Sequence, residues 1–119
     1  IMLKTVPELI ALAKENVHIQ TASQAMPECL ATKGVLIDVR EVDEFKQKSI
    51  IEAVNIPRGI LEMQMLKQFP DENTPIYIHC ATGGRAALAA EQLQRIGYKK
   101  VTAISCHFKD IYQVSQLSQ

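Results

Sequence analysis

A cysteine followed by two glycines and an arginine is the feature of this chain best suited to chemistry. The segment "HCATGGR", residues 79–85, lies between the apolar run "PIYI" and a stretch rich in alanine and leucine, so it predicts a loop from a buried strand to a helix. Gly83 and Gly84 allow backbone conformations with positive φ and remove side-chain bulk. Such a loop can direct successive N–H groups into one concavity, to which the following helix adds the positive end of its dipole. A cysteine at its mouth is stabilised as the thiolate, the nucleophilic form, so the loop predicts a reactive Cys80 rather than a buried structural one.

The other two cysteines, Cys29 and Cys106, lie far from Cys80 and from each other in the sequence. An odd number of cysteines at wide spacing is a poor disulfide framework, which favours the cytoplasm. Because the chain has neither a C-x-x-C pair nor an H-x-x-x-H pair, we expect no metal site and no cofactor. Cys29 is interpreted as a small buried hydrophobic residue.

The composition is that of an ordinary globular protein: 119 residues, 47% hydrophobic and 22% charged, which we expect to form one domain over residues 1–119. Lysine and arginine number 13, as do aspartate and glutamate, so the formal charge is zero. This balance argues against nucleic acid or an anionic membrane as a partner, and no apolar run approaches the roughly 20 residues of a membrane span. Charged residues and Pro7 interrupt the first segment where a signal peptide would be apolar, so the cytoplasm is the predicted compartment, or the periplasm if a signal has been removed.

Helical and strand patterns alternate along the chain. Helices are predicted over residues 6–16, 21–34, 40–49, 59–70, 84–97 and 108–117, and strands over 17–20, 35–39, 53–57, 75–80 and 99–105. Thr21 or Ser23 is the expected cap of the second helix, Gly34 its end, and Gly97 the C-cap of the fifth. This alternation predicts an α/β fold with a mainly parallel sheet of about five strands and helices on both faces.

Polar residues follow the predicted strands, where the carboxyl ends of a parallel sheet share one edge and form ligand sites. The residues expected near Cys80 at this edge are Asp38, Arg40, Asn55, Arg58, Ser105, Cys106 and His107. Asp38 is expected to orient a loop by accepting backbone N–H bonds. Because side chains alternate along a strand, His79 should point away from the Cys80 thiol.

Four segments of this sequence together resemble the rhodanese-like domain family in its single-domain form. "VLIDVREVDEF" is similar to the family's "IDVR…E(F/Y)" segment, and "IIEAVNIPRG" to its "HIPGAxNIP" segment. "CATGGR" matches its C-x-x-G-x-R loop, and "AALAAEQLQRIGYKKVTAI" the helix and strand that follow. The segments occur in the family's order and spacing from about Val35 to Ile104, which is more than half of the chain.

The resemblance implies a sulfurtransferase in which Cys80 takes a sulfur atom from a small anionic donor such as thiosulfate, becomes a persulfide, and passes the sulfur to a thiol or cyanide. A protein acceptor is a further expectation. Arg85 could bind an oxyanion or brace the loop, and the two roles are equally expected. Arg40 and Arg58 could add positive potential for the donor, with a solvated surface arginine as the alternative for each. The residues expected to bind the donor are Ala81, Thr82, Gly83, Gly84, Arg85 and Arg40.

Three alternatives accompany this interpretation. A carrier module would hold the persulfide as cargo for a partner protein, and the uncharged Ala81 and Thr82 beside the thiol favour it. Cysteine-dependent phosphatases resemble "HCxxGxxR", with five residues between cysteine and arginine, whereas four stand between Cys80 and Arg85, and no segment is an obvious general-acid loop. An inactive relative is the third alternative, against which the intact cysteine and arginine argue.

The sequence departs from the family pattern after its last strand. Cys106 and His107 stand where the family usually has two glycines, and the chain has no tryptophan, so Ile111 or Tyr112 must fill that packing position. Cys106 raises the hypothesis of a second thiol that resolves the Cys80 persulfide as a disulfide, against the simpler interpretation of an unreactive thiol.

Overall fold

Five parallel strands form the centre of the molecule, which is a computed structural model that describes residues 2–117. The strands are β1 (His18–Gln20), β2 (Val35–Asp38), β3 (Val54–Asn55), β4 (Ile76–His79) and β5 (Val101–Ile104). The helices are α1 (Val6–Asn16), α2 (Ala22–Thr32), α3 (Val42–Gln47), α4 (Leu61–Gln68), α5 (Gly84–Ile96) and α6 (Phe108–Leu117), with a 3-10 turn over Arg58–Ile60. The strand order is β1-β5-β4-β2-β3, and every neighbouring pair is parallel, which confirms the predicted fold class.

The sheet is covered on both faces, and the side chains of β4 show how. Ile76 and Ile78 point to one face, where they pack with Met65 of α4 and Leu93 of α5. Tyr77 points to the other face, with residues of α2 and α6. Because both faces are buried, the central strands are continuously apolar rather than alternating, as the sequence of β2 and β4 indicates. We refer to these as the α5 face and the α6 face of the sheet.

The helix ends follow local capping. At α2, Thr21 and Gln24 form a reciprocal capping box, so Thr21 is the cap and Ser23 is not. Lys33, not Gly34, takes the left-handed conformation at the end of this helix, with φ of 56°. Gly34 still takes part in ending the helix, because its N–H donates to the carbonyl of Cys29 at 2.9 Å. It also serves the start of β2: a Cβ there would lie 2.9 Å from the carbonyl oxygen of Pro75. Gly97 ends α5 as predicted.

Three elements are shorter than the sequence indicates. Helix α3 is shorter at both ends than the predicted range 40–49, and β3 has only two residues. The segment predicted as a helix over 59–70 begins as the 3-10 turn and becomes α-helical at Leu61, and α4 ends at Gln68 before Pro70. Within residues 2–117 no helix has both the length and the apolarity needed to cross a membrane.

Candidate active site

Cys80 is the first residue after β4, and its sulfur lies in the loop that opens α5. The Sγ atom accepts the backbone N–H of Gly83 at 3.1 Å and that of Ala86 at 3.3 Å. Both N–H groups belong to the start of α5, where a helix leaves its amides without intrahelical acceptors. They direct the positive ends of their N–H dipoles at the sulfur. Cys80 is 0% exposed, so the thiol lies beneath the loop rather than on the surface.

Gly83 sets the shape of this loop. It has φ of +99° as the residue before α5, and a Cβ at this position would lie 2.8 Å from the carbonyl oxygen of Ser105. Both the dihedral angle and the close approach therefore require glycine. Gly84 does not use the conformational freedom of glycine, because only Gly83 and Gly97 among the described glycines have positive φ. Gly84 instead lies against the side chain of Ile10, where α1 packs on α5.

Arg85 is committed to a carboxylate. Its two terminal nitrogens donate to the two oxygens of Glu44 at 2.8 and 3.1 Å, which ties α5 to α3. Hydrogen bonding from Arg85 is the main reason why the pKa of Glu44 is lowered to about 2, and the backbone N–H of Glu41 adds to it. Bracing is the role that these contacts give Arg85, while oxyanion binding stays a prediction. Sequence reasoning missed Glu44, although its place three residues after Glu41 at the start of a predicted helix is a capping-box spacing.

Arg40 and Asp38 form a buried ion pair at the end of β2. The Asp38 carboxylate accepts both the backbone N–H of Arg40 at 2.9 Å and its Nη2 at 2.8 Å, so Asp38 orients this turn as expected. Arg40 also donates to the carbonyl of Lys48 at 2.7 Å and lies over the ring of Phe108, 3.8 Å from the ring centre. Asn55 donates to the carbonyls of both Asp38 and Arg40. Arg40 is 5% exposed and its guanidinium is enclosed by these partners, so it is not the solvated surface arginine of the alternative, while donor binding stays a prediction.

Phe108 connects this ion pair to the Cys80 loop. Its backbone N–H donates to the carbonyl of Ala81 at 2.8 Å, and its ring stacks on that of His79 with the ring centres 6.0 Å apart.

His79 points away from the thiol, as strand alternation predicts, and is fully buried. Neither of its ring nitrogens has a hydrogen-bond partner among the described residues, and Asp38 lies 3.8 Å from Nε2. Burial lowers the pKa of His79 to about 4. Nothing in the sequence marked Phe108, because only the fold brings it beneath the loop.

The remaining predicted site residues are Ala81, Thr82, Arg58 and Cys106. Ala81 is half-buried and Thr82 exposed on the outside of the loop. Arg58 pairs with Glu62 at 2.9 Å, one turn along, and its side chain is 30% exposed. Cys106 accepts the N–H of Ala22 at 3.3 Å and packs on the α6 face, whereas Cys80 belongs to the cluster on the α5 face. The two thiols therefore have different hydrogen-bond partners and pack in different clusters, and the resolving role of Cys106 stays a hypothesis.

The comparisons with known proteins concern the family and the fold of the chain. The model of the rhodanese-like domain family matches residues 20–113. The chain is 35% identical over 75 residues to a Bacillus subtilis protein named "Putative sulfur carrier protein YrkF", covering 63% of this chain and 40% of that protein. It is 31% identical over 65 residues to thiosulfate sulfurtransferase PspE of Escherichia coli, covering 55% and 62%. The match thus spans about half the length of these curated relatives.

A solved structure from Rhodopseudomonas palustris, described as a protein of unknown function and "Possible Tyrosine Phosphatase", superposes with a TM-score of 0.82. It covers 95% of this chain and 92% of its own at 24% identity, which shows a shared fold alone. The family model, in contrast, covers most of the chain, including β2 to β5 and the entire Cys80 loop. The chain belongs to the rhodanese-like domain family.

Proposed function

We propose that this protein is a sulfurtransferase that moves a sulfane sulfur atom through a persulfide on Cys80. The observation that carries the proposal is the pair of N–H groups, from Gly83 and Ala86, that the Cys80 sulfur accepts. We expect these donors to stabilise the negative charge on Sγ both in the attacking thiolate and in the thiolate that leaves when the persulfide is cleaved. The family membership and the names of the relatives support a sulfurtransferase-type activity.

Thiosulfate, or a related donor with a sulfur–sulfur bond, is the proposed first substrate. The Cys80 thiolate attacks the outer sulfur of thiosulfate, the sulfur–sulfur bond of the donor breaks, and its electron pair leaves with sulfite. The Cys80 persulfide anion remains. An acceptor thiolate or cyanide then attacks the outer sulfur of the persulfide, and the electron pair of the breaking bond returns to Cys80 as thiolate. Because the enzyme is modified between the two half-reactions, ping-pong kinetics are expected.

The loop backbone is proposed to bind the anionic donor. The side chains nearest the thiol in the loop, those of Ala81 and Thr82, carry no charge, and the Arg85 guanidinium is already held by Glu44. N–H groups and the start of α5 are then the main attraction for an anion. Because Cys80 has no exposed surface, a donor reaches Sγ only after the loop or the side chains over it shift.

A persulfide carrier is the second proposal, and the burial of Cys80 favours it. A persulfide enclosed in this way is protected from small thiols until a partner opens the loop, which suits delivery to another protein. The Bacillus subtilis relative carries the name of a sulfur carrier. The cytoplasm is the proposed compartment for either role, in keeping with three free thiols.

Intact-protein mass spectrometry tests the proposal. The wild-type protein, Cys80→Ser and the control Cys106→Ser are each incubated with thiosulfate and then with cyanide. We expect the wild type and Cys106→Ser to gain one sulfur atom that cyanide removes, and Cys80→Ser to gain none.

The same experiment separates the alternatives. If thiosulfate leaves the wild type unmodified but an inorganic polysulfide loads Cys80, the carrier proposal replaces the thiosulfate enzyme. If neither donor modifies Cys80, the persulfide proposal is wrong, and hydrolysis of p-nitrophenyl phosphate tests the phosphatase alternative. Loading that persists in Cys80→Ser would assign the sulfur to another cysteine.

A further inference from the structure

A groove of about 650 Å³ lies between the end of α3 and the outer side of α6. Its lining combines two lysines, two aromatic rings and an exposed leucine: Lys48, Lys109, Phe108, Tyr112 and Leu117. Glutamine side chains complete the lining, and the described residues that form it include no carboxylate. The groove is thus apolar along its floor and positively charged at its rim.

The groove adjoins the Cys80 loop. Phe108 lines the groove and donates its backbone N–H to the carbonyl of Ala81, the residue after Cys80. Lys48, on the other side, accepts the Nη2 of Arg40 through its carbonyl at 2.7 Å, and Arg40 lies over the Phe108 ring. Both walls of the groove are therefore joined to the network beneath the loop, and a molecule bound in the groove adjoins the Cys80 loop through Phe108 and Ala81.

The two lysines of the groove, Lys48 and Lys109, are not part of any ion pair found in the described part of the chain. The Nζ of Lys48 lies over the ring of Tyr112, 4.1 Å from its centre, which leaves its charge available. Asp110 lies in the first turn of α6, but it is exposed and does not line the groove. In a chain with zero formal charge, this concentration of positive charge beside the site is a local feature.

We propose that this groove binds an acidic segment of the protein that exchanges sulfur with Cys80. The carboxylates of the segment pair with Lys48 and Lys109, and an apolar residue packs against Tyr112 and Leu117. This inference rests on the proposed function, and it names the partner class for the same site. Small acceptors such as cyanide do not need the groove, so the groove selects among protein partners without changing the chemistry.

The transfer itself follows from the proposed cycle. A cysteine thiolate carried by the bound segment attacks the outer sulfur of the Cys80 persulfide. The sulfur–sulfur bond to Cys80 breaks, its electron pair stays on Cys80 as thiolate, and the segment leaves as a persulfide. One sulfur–sulfur bond forms as another breaks and the transferred sulfur keeps its oxidation state, so no oxidant or reductant is required.

Three synthetic peptides with one cysteine each, identical except for glutamate, glutamine or lysine at four positions, provide the test. Each serves as acceptor for the persulfide-loaded protein at low ionic strength. We expect kcat/KM for the glutamate peptide to exceed that for the lysine peptide roughly fivefold to tenfold, because two exposed ion pairs each add little and salt screens them. In the Lys48→Glu/Lys109→Glu variant this preference should be lost or reversed, while the rate with cyanide is unchanged.

Lys14→Glu/Lys67→Glu is the matched control, since it changes the total charge equally at two exposed lysines on α1 and α4, on the other face of the sheet. It should keep the wild-type preference. The proposal is overturned if the two double variants respond alike, or if the wild type does not discriminate between the peptides. Lys48→Gln/Lys109→Gln, which removes charge without reversing it, tests the groove again if the glutamate variant folds poorly.

Binding measured without chemistry separates this inference from the proposed function. Fluorescence anisotropy with a labelled glutamate peptide whose cysteine is replaced by serine reports the groove even if Cys80 never forms a persulfide. Binding in the wild type with no persulfide would reject the proposed function and keep the groove. Absence of peptide binding, together with co-sedimentation on phosphatidylglycerol vesicles, would reject the acidic partner in favour of a lipid surface.

Discussion

At Cys80 the backbone supplies the polarity that charged side chains supply in many nucleophilic sites. The sulfur accepts two N–H groups, the Ala81 and Thr82 side chains beside it are uncharged, and Arg85 is held by Glu44. An amide fixed by the fold needs no reorganisation when charge develops on the sulfur. We therefore expect the proposed reactivity of Cys80 to depend on the geometry of the loop more than on any single neighbouring side chain.

His79, next to Cys80 in sequence, gives the free energy of unfolding a pH dependence. Its pKa is lowered by burial from 6.5 to about 4, so the unfolded chain binds a proton between these values while the folded protein does not. The part of the free energy of unfolding that depends on neutral His79 is fully present above pH 6.5 and decreases as the pH falls towards 4. We expect His79→Gln to remove a loss that reaches about 3 kcal/mol at pH 4, measured by urea unfolding across this range.

His18→Gln is the control for this measurement, because His18 is exposed at the start of β1. It should follow the wild-type profile. The carboxylates titrate in all three proteins, so the difference between wild type and variant isolates the histidine. An unchanged slope in His79→Gln would contradict the assignment.

Single residues were predicted as far as their chemistry is local. The position of Cys80 at the start of a strand-to-helix loop and the role of Asp38 within its own turn follow from neighbouring residues in the sequence. The partner of Arg85 does not, because Glu44 lies 41 residues away and many carboxylates could have met that guanidinium. For the same reason the burial of Arg40 under Phe108 is absent from the sequence pattern, since it depends on how α6 returns to the sheet.

The loop from β4 to α5 is the element on which the site depends, and its two glycines have different tasks. At Gly83 an alanine would combine an unfavourable φ of +99° with a Cβ 2.8 Å from a backbone oxygen that cannot move away cheaply. At Gly84 the nearest atom is the end of the flexible Ile10 side chain, 2.7 Å from the added Cβ. The same substitution should therefore have different consequences at adjacent positions.

We expect Gly83→Ala to cost about 1–3 kcal/mol of stability and to slow persulfide formation, since the Gly83 N–H would turn away from Sγ. Gly84→Ala should be nearly neutral, because the cost of moving Ile10 is offset by up to about 1 kcal/mol of helix propensity. Thermal unfolding and the rate of sulfur loading by mass spectrometry measure both effects. Equal effects at the two positions would show that φ and the Ser105 contact do not govern the loop.

The element pattern itself was largely predictable, because alternation, caps and breakers are local signals. Thr21 and Gly97 mark helix ends directly. The exceptions have tertiary causes: Gly34 is required by the approach of Pro75, and Lys33 takes the left-handed position. The short β3 could not be delimited from sequence either, since its length depends on how far it pairs with β2.

At the scale of the whole molecule, Arg40 links the end of β2 to the segment after α3 and to the start of α6. Its contacts reach Asp38 at the end of β2, the carbonyl of Lys48 after α3, and Phe108 at the start of α6. Through Phe108 this network holds the Cys80 loop, and through Asp38 it borders His79. A charge so enclosed cannot be removed alone without leaving the Asp38 carboxylate buried and unpaired.

This network predicts that substituting two arginines that follow neighbouring strands will change the free energy of unfolding by very different amounts. Arg40→Met should cost about 3–5 kcal/mol of unfolding free energy, as the loss of one partner of a buried ion pair does. Arg58→Met should cost about 0–1 kcal/mol, because its pair with Glu62 is partly exposed and lies within one turn. Urea unfolding at neutral pH, with the slope m compared between variants, measures both.

The double variant Asp38→Asn/Arg40→Met identifies the cause. If the unpaired carboxylate accounts for the loss, removing its charge restores part of the stability that Arg40→Met removes. If the lost packing of Arg40 on Phe108 accounts for it, the double variant is no more stable than the single one, and the Cys80 loop loses its support through Ala81. The rate of sulfur loading is then measured in the folded double variant. A network that only stabilises the fold leaves this rate unchanged, whereas a network that also positions the proposed nucleophile slows persulfide formation when it is removed.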